Sequence, residues 1–525
     1  MRPITRRELV LGGAALAMAP RIAAAQPSRN VLVGAFDAGP GGSPGNLNPL
    51  TATAGYTALN FIYEPLVIYT PALDRIVGAL ATSWESNPEK TRYTFRLADG
   101  VAWQDGEKFT AADAVFTLGL AQDAKSGSVH AAALAGITAT APDAHTLVVE
   151  PGRPNADLPD LLSGLMMLPQ HLLEPLGRDG LDRNPWWTKS AVGTGPFQLV
   201  HHEPDQYAEL KANAGYRRGR PKLDGIVNRY FKDPAGAAAA LGAGALQFSA
   251  VEPEAARGFT GNQDFHVIEG SSWVLSYIGF NFDAGLWDDV HIRQAFIHAI
   301  NREAIVRGLC DGAAEVANSL FIAAAVTPPD LDKYAYDPAR AKALLAAGGW
   351  EKINGGKPIP WLACLDAPPV AKVMAAIQSM LAQVGVNVVP RSVDAATYHD
   401  LVNAPQPDPS ACPLLFAGAP NGPDPAVVNG WAAESQIPPN GANIARIRQP
   451  ALNAALAAAL AETDDARRVT CWQEVARVAN REAPIVPLWV ARRYGVVTAN
   501  VKNFVWTPAP SGGPFDQRAE LWSFG

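Results

Sequence analysis

The alternation of helices with strands constrains the fold of this chain more than any other feature of its sequence. A predicted helix begins at Asp337-Pro338, with Asp at the N-cap and Pro at the first helical position, and it ends at Gly348-Gly349. A helix followed by a strand is predicted over 370–389 and again over 464–490. This order is typical of an α/β fold.

The first half of the chain is predicted to be rich in strands. Residues 92–97 alternate polar and apolar side chains, a pattern that indicates a strand with one buried face. Further strands are predicted at 31–36, 146–150, 196–200, 207–210 and 274–282. Because the chain shows no fixed-period repeat, a solenoid or propeller is excluded and the α/β class is retained.

The first 25 residues have the composition of an export signal. Arg6-Arg7 precedes a short apolar run from Leu9 to Ala19, and small residues end at Ala25. The arginine pair resembles a twin-arginine signal, and an ordinary secretory signal is the alternative. We expect cleavage near Ala25. The region around this site contains no Cys, so we do not expect a lipoprotein.

Composition and motifs argue against several classes of protein. The formal net charge is −7, whereas nucleic-acid binders usually carry a basic face. The sequence contains no zinc-binding H-E-x-x-H, no C-x-x-C, no G-x-S-x-G and no phosphate-binding loop. The missing motifs make an enzyme less favoured but do not exclude one, because catalytic residues can meet only in the folded chain. We expect no metal and no cofactor. The four cysteines leave their pairing open: Cys310, Cys364, Cys412 and Cys471.

Several sequence blocks resemble the extracytoplasmic solute-binding proteins of the peptide/nickel ABC importer family (solute-binding protein family 5). The most specific block is Gly100 to Asp113, reading GVAWQDGEKFTAAD. Similar blocks occur, in family order, at 47–50, 62–66, 80–85, 193–197, 289–295, 422–425 and 483–488. The chain is thus identified as a member of that family over about residues 30 to 505.

The resemblance implies a periplasmic-binding-protein-like clamshell of two α/β lobes with a third, inserted domain. Lobe I is predicted to comprise residues 26–62, 188–274 and 488–525. The inserted middle domain would span 63–187, and lobe II would span 275–487. Two extended strands, at 274–282 and 485–490, would cross between the lobes. The implied function is capture of a solute by hinge closure in the periplasm and its delivery to a membrane permease and its ATPase. We expect a monomer.

The resemblance leaves the class of ligand open. In peptide binders of this family, an aspartate in the loop before a D-P pair holds the α-amine of the peptide, and Asn421 occupies the corresponding position here. An amide cannot form the full charge-assisted bond to an ammonium group, although a small shift in alignment would bring Asp424 to that position. A peptide, another organic solute such as a sugar or opine, and a metal chelate all remain candidates. A secreted hydrolase is the enzyme alternative.

The candidate ligand-binding residues are aromatic or polar side chains at loops and strand ends, where they can line a cleft. Two are expected at the cleft wall, three on the crossing strands and three in the loop before the D-P pair. They are, in that order, Tyr56, His130; Trp273, Tyr277, Trp489; and Phe416, Asn421, Asp424.

Overall fold

The computed structural model describes residues 30–39, 42–52, 55–364, 368–405, 408–508 and 515–525. The predicted export signal lies outside these residues. Within them an eleven-stranded mixed sheet runs through both predicted lobes, and a separate four-stranded sheet lies in the middle domain. The chain is therefore α/β, as expected. We keep the names lobe I, middle domain and lobe II for the predicted segments, whose exact boundaries remain a prediction.

Residues 30–189 form the first strand and helix of lobe I and then the middle domain. Their elements are β1 (Val31–Ala35), α1 (Tyr56–Ile62), β2 (Val67–Tyr69), β3 (Ile76–Gly78), β4 (Ala81–Ser86), β5 (Tyr93–Leu97), α2 (Ala111–Gln122), β6 (Thr138–Asp143), β7 (Thr146–Glu150), α3 (Leu158–Ser163), α4 (Gln170–Leu173) and α5 (Trp186–Lys189). Strands β4, β5, β7 and β6 form the four-stranded sheet in that order.

The chain then returns to lobe I. The elements are β8 (Phe197–Glu203), β9 (Tyr207–Ala212), β10 (Gly225–Arg229), α6 (Pro234–Gly242), β11 (Phe248–Val251), α7 (Pro253–Phe259) and β12 (Phe265–Phe280). Strand β1 pairs in parallel with β10 and β11, so the carboxyl ends of these three strands meet at one edge. The predicted strand pair at 196–210 is confirmed as the antiparallel pair β8 and β9.

Lobe II contains most of the helices, and the chain ends back in lobe I. The elements are α8 (Val290–Ala299), α9 (Arg302–Gly308), β13 (Ala314–Val316), α10 (Pro338–Ala347), α11 (Trp350–Asn354), β14 (Ile359–Cys364), α12 (Pro368–Gln383), β15 (Val388–Val393), α13 (Ala395–Asn403), β16 (Leu414–Pro420), α14 (Asn429–Ala432), α15 (Pro450–Ala461), α16 (Asp465–Glu482), β17 (Ile485–Thr498), β18 (Val501–Lys502) and β19 (Ser523–Phe524). Among the described helices, none is both long and apolar enough to cross a membrane.

The helices predicted from caps are confirmed. The Asp337 side chain accepts a hydrogen bond from the backbone of Arg340 at the start of α10, and Asp464 does the same for α16. The strand predicted at 386–389 instead begins at Val388, because Val386 still donates a backbone hydrogen bond to Leu381 of the preceding helix. Gly385, at φ 86°, makes that turn possible.

Strands β12 and β17 cross between the lobes and are longer than the sequence predicts. Residues 265–271 of β12 pair with residues 492–498 of β17, and residues 275–279 pair with residues 485–490. The register is irregular between Ser271 and Leu275 and again between Ser276 and Tyr277. Such irregularities bend a ribbon locally. We call residues 271–277 the hinge, because bending there would change the angle between the predicted lobes.

Two large hydrophobic cores lie on either side of this crossing. One contains buried residues between Leu275 and Trp489, which are those of lobe II and its strands. The other combines lobe I with the middle domain, from Leu32 through Trp187 to Trp522. No two of the four cysteines, all within the described residues, are joined by a disulfide.

Candidate functional site

The loop after β16, in which Asn421 and Asp424 were predicted to bind ligand, is held at both of its ends. The backbone N–H of Asn421 donates a hydrogen bond of 2.8 Å to the carbonyl of Trp273 on crossing strand β12. Asp424 caps the short 3₁₀ helix that follows, since its Oδ1 accepts a 2.9 Å hydrogen bond from the backbone of Ala426. The loop therefore has a defined position between the hinge and lobe II.

Asp424 faces a cavity of about 850 Å³ between the middle domain and lobe II, which we call the carboxylate cavity. Its middle-domain wall includes Tyr69 and residues 153–161, and its lobe II wall includes residues 422–430 and the end of α15. Asn421 is not among its lining residues; that side chain is 5% exposed, and its Nδ2 has no hydrogen-bond partner within the described residues.

Three carboxylates meet in the carboxylate cavity. Asp157 and Asp160 approach from the middle domain and Asp424 from lobe II, with one oxygen atom of each within 4.8 Å of the others. The hydroxyl of Tyr69 donates a hydrogen bond to Asp160. The guanidinium of Arg468, on α16, forms an ion pair with Asp157 and lies 3.8 Å from Oδ1 of Asp424.

Burial changes the protonation of this cluster. It raises the pKa of Asp424 above its ordinary value, and the nearby charge of Asp160 raises it further. Burial likewise raises the pKa of Asp160, although the Tyr69 hydrogen bond opposes the shift. With all three acids ionised, Arg468 would leave the cluster at 1 − 3 = −2. Arg153 also lines the cavity but is exposed, so water and salt screen it. Burial therefore favours protonated acids here, and a cationic group would favour their ionised forms instead.

A second cavity, of about 520 Å³, lies within lobe II at the carboxyl ends of the parallel strands β14 and β16. We call it the aromatic cavity. Tyr277 and Phe416 line it, as do Trp431 and Tyr398. The rings of Tyr277 and Trp431 stack with centroids 5.9 Å apart, and the Tyr398 hydroxyl donates to the carbonyl of Phe416. Open α/β sheets commonly bind ligands at the carboxyl ends of their strands.

The loop 420–424 separates these two cavities. Pro420 lines the aromatic cavity, and Gly422 lines the carboxylate cavity. The indole N–H of Trp431 donates a 3.2 Å hydrogen bond to the carbonyl of Pro420. One solute could therefore place an apolar part against the rings and a cationic part among the carboxylates, with the loop between them.

The crossing strands carry the remaining aromatic candidates. Trp273 has a positive φ of 55° and lines a third cavity, of about 770 Å³, which also contains Arg492 and Glu315. Trp489 is almost fully buried, with its ring 6.0 Å from that of Phe416. Trp489 therefore packs behind Phe416 of the aromatic cavity, and Trp273 belongs to the hinge.

Tyr56 and His130 lie together but away from the described cavities. The Tyr56 hydroxyl donates to the carbonyl of Ala52, and Val129 donates its backbone N–H to the carbonyl of Leu50. Burial lowers the pKa of His130, so this imidazole is held neutral. Neither side chain lines the carboxylate cavity, the aromatic cavity or the third cavity at Trp273. Both hold the 47–52 loop in place.

Sequence reasoning missed the middle-domain carboxylates and Arg468, because these residues meet only in the tertiary structure. One signal was available for Arg468. It lies four residues before Trp472, at the start of the buried stripe of α16 that continues through Val475, Ala476 and Ala479. A charged side chain on the buried face of an otherwise regular helix requires a partner from elsewhere in the fold.

Comparison with known proteins identifies relatives along almost the whole chain. The sequence model of the protein family described as bacterial extracellular solute-binding proteins, family 5 middle, matches residues 75–434. A Brucella melitensis protein, named provisionally as an ABC transporter peptide-binding protein, is 48% identical over 515 residues, which cover 98% of this chain and 97% of the relative.

Two solved structures show the same fold. NikZ from Campylobacter jejuni, in complex with Ni(L-His), has a TM-score of 0.78 at 21% identity and covers 94% of this chain and 100% of its own. The oligopeptide-binding protein AppA from Bacillus subtilis, in complex with a nonapeptide, has a TM-score of 0.77 at 22% identity, covering 94% and 99%. At these identities the likeness concerns the fold alone.

Proposed function

Because the chain belongs to family 5 of the bacterial extracellular solute-binding proteins, we propose that it is the solute-binding component of an ABC importer that captures a peptide or peptide-like organic solute. The family consists of substrate-binding proteins rather than enzymes. The protein would hold its solute by closure about the crossing strands and pass it to a permease driven by a separate ATPase. Binding alone, without turnover, is its proposed activity.

The observation that carries this proposal is the carboxylate cavity, whose two walls come from opposite sides of the hinge. A solute bound there contacts Asp160 on one wall and Asp424 on the other, so it favours the closed arrangement over any open one. A terminal ammonium group would pair with the ionised form of these acids by displacing the proton that burial favours, and the adjoining aromatic cavity would accept an apolar side chain. Both features fit a short peptide with a free amine and an apolar residue.

Isothermal titration calorimetry with paired peptides tests the proposal. A peptide with a free amine should bind, and its N-acetylated counterpart should bind about thirtyfold more weakly, since truncating a buried charge contact costs about 2 kcal/mol or more. Asp424→Asn should cause a similar loss for the free peptide while leaving the N-cap in place, because Asn also caps helices.

The matched control is Glu351→Gln, an exposed acid-to-amide change on α11 far from the cavity lining. It should bind like the wild type. If no peptide in a broad set binds, or if the acetylated and free forms bind equally, the amine-bearing peptide is the wrong ligand. Native mass spectrometry of freshly purified protein would then identify the solute that co-purifies.

A solute without a free amine is the second candidate, favoured by Asn421. Its buried Nδ2 lacks an acceptor within the described residues. Although Asn421 does not line the carboxylate cavity, a solute that displaced the loop enough to reach it would supply a carbonyl or hydroxyl acceptor. A sugar, an opine or a metal chelate has such groups. If one of these solutes binds, and if binding is lost in Asn421→Ala but kept in Asp424→Asn, the ligand is a solute without a free amine.

We further propose that the protein reaches the periplasm through the predicted twin-arginine signal, with cleavage near Ala25 and no lipid anchor, and that it acts as a monomer. These proposals come from the sequence around Arg6-Arg7 and the family's extracytoplasmic role. Mass spectrometry of the exported protein gives its N-terminus, and light scattering gives its mass in solution. A retained signal, an acylated N-terminus or a dimer mass would each contradict one of them.

A further inference from the structure

Two ion pairs join the middle domain to lobe II beside the carboxylate cavity. The guanidinium of Arg468 contacts Asp157, and Nζ of Lys90 lies 3.5 Å from Asp465. Asp465 and Arg468 both belong to the first turn of α16. The N-terminal end of this helix is therefore the part of lobe II that faces the middle domain.

The two ion pairs differ in burial. The side chains of Arg468 and Asp157 are 14% and 11% exposed, whereas that of Asp465 is 87% exposed. Burial lowers the pKa of Arg468, which shows how poorly its charge is solvated. A buried guanidinium is strongly destabilising unless a carboxylate accompanies it. The Arg468–Asp157 pair is therefore the contact that depends on the two walls staying together.

Bending at the crossing strands must separate these two residues. Asp157 belongs to the part of the chain whose core is shared by lobe I and the middle domain, and Arg468 belongs to lobe II. The two parts are connected through β12 and β17, where the register is irregular. When the lobes move apart, water solvates Arg468 and Asp157 separately. The ion pair then no longer stabilises the contact between the two cavity walls.

The side chain of Arg468 is also positioned by a contact within its own helix. Its guanidinium carbon lies 5.8 Å from the ring centroid of Trp472, one turn further along α16. This contact keeps the guanidinium over the apolar face of the helix instead of in solvent. The same group lies 3.8 Å from Asp424, so it meets the middle-domain wall and the ligand loop together.

We propose that Arg468 is a positioning residue that couples solute capture to closure of the middle domain on lobe II, through its ion pair with Asp157. This proposal deepens the proposed function and rests on it. It assigns the closing contact to a side chain that need not touch the solute. Arg468 fixes the separation of the two cavity walls and, with it, the geometry of the site that the solute meets.

Hydrogen–deuterium exchange of the ligand-free full-length protein tests the coupling without any knowledge of the solute. Arg468→Gln should speed exchange about tenfold in segments 157–163 and 424–432, a change within the usual range of coupling between sites. Exchange in the buried strand β16 should stay the same. Arg468→Lys, which keeps the charge, should restore most of the protection.

Arg467→Gln is the matched control. Arg467 is the adjacent residue of the same helix, is 69% exposed, and pairs with Glu462 and Asp464 inside lobe II. It should leave exchange in both segments unchanged. Equal exchange in the wild type and Arg468→Gln, or the same acceleration in Arg467→Gln, would overturn the proposal. If Arg468→Gln unfolds, which circular dichroism would show, Asp157→Asn gives the same test from the opposite wall.

The outcomes separate the two proposals. If exchange responds as expected but no peptide or other solute binds, the closing contact stands and the proposed function fails. If a solute binds the wild type and Arg468→Gln with the same affinity and dissociation rate, the proposed function stands and the coupling fails.

Discussion

The carboxylate cavity and the aromatic cavity meet at the same loop, yet they are built in opposite ways. The first has walls from the middle domain and from lobe II, and it holds charges that burial makes unfavourable. The second is built from residues of lobe II alone and is lined by stacked rings and backbone. The aromatic cavity should therefore exist in every state of the protein, whereas the carboxylate cavity exists only when the two walls are together.

The largest test of this difference removes a ring from the aromatic cavity. Trp431→Ala deletes the stack on Tyr277 and the hydrogen bond to Pro420, and it should lower the free energy of unfolding by about 3 kcal/mol without any ligand present. Trp431→Phe, which keeps a ring, should cost clearly less. Urea denaturation followed by fluorescence measures the free energy of unfolding of both variants. A loss below about 1 kcal/mol for Trp431→Ala would show that the aromatic cavity is not a preformed part of lobe II and forms only when the lobes close.

A smaller effect per pH unit is expected on the affinity of the carboxylate cavity for a cationic ligand. Since burial and the charge of Asp160 raise the pKa of Asp424, this acid holds its proton above the ordinary carboxyl pKa of 3.8, and a cationic ligand must displace that proton. Affinity for a free-amine peptide should therefore rise with pH from about 4 upward, by at most about tenfold per unit, and level off above the raised pKa.

Calorimetry across this pH range, in two buffers of different ionisation heat, detects the proton release directly. Asp424→Asn should weaken the dependence, and Glu351→Gln should keep it. Affinity that is flat, or that improves on acidification, would show that Asp424 does not face a cationic group in the complex.

The smallest effect is expected at the exposed ion pair. Lys90→Gln should change exchange at the cavity walls by about twofold or less, because salt and water screen a pair whose acid is almost fully exposed. Lys125→Gln, which loses an exposed pair with Asp179 inside the middle domain, is the control. An effect as large as that of Arg468→Gln would mean that surface charge, and not the buried pair, holds the walls together.

The sequence predicted the α/β class, the N-cap of α10 and the strands at 274–282 and 485–490, since these depend on local patterns of polarity and capping. That these two strands cross between the lobes was implied by the family resemblance. The sequence also named Asp424, Tyr277 and Phe416 as ligand-binding residues. Asp424 lines the carboxylate cavity and the other two line the aromatic cavity, and their role in binding remains a prediction. The sequence could not predict that Asp157, Asp160 and Arg468 meet, because their segments are far apart in the chain. Tyr56 and His130 were chosen by position; the described residues place them at the 47–52 loop, so their role in binding remains a prediction.

One backbone hydrogen bond gives the loop of Asp424 an unusual mechanical place. The backbone N–H of Asn421 donates this hydrogen bond to Trp273, which lies on β12 where its register with β17 is irregular. The loop is therefore attached directly to the hinge. If the lobes close by bending at this ribbon, as we propose, the backbone that carries Asp424 would move with the angle between them. The direction of the Asp424 carboxylate would then depend on how far the two lobes have closed.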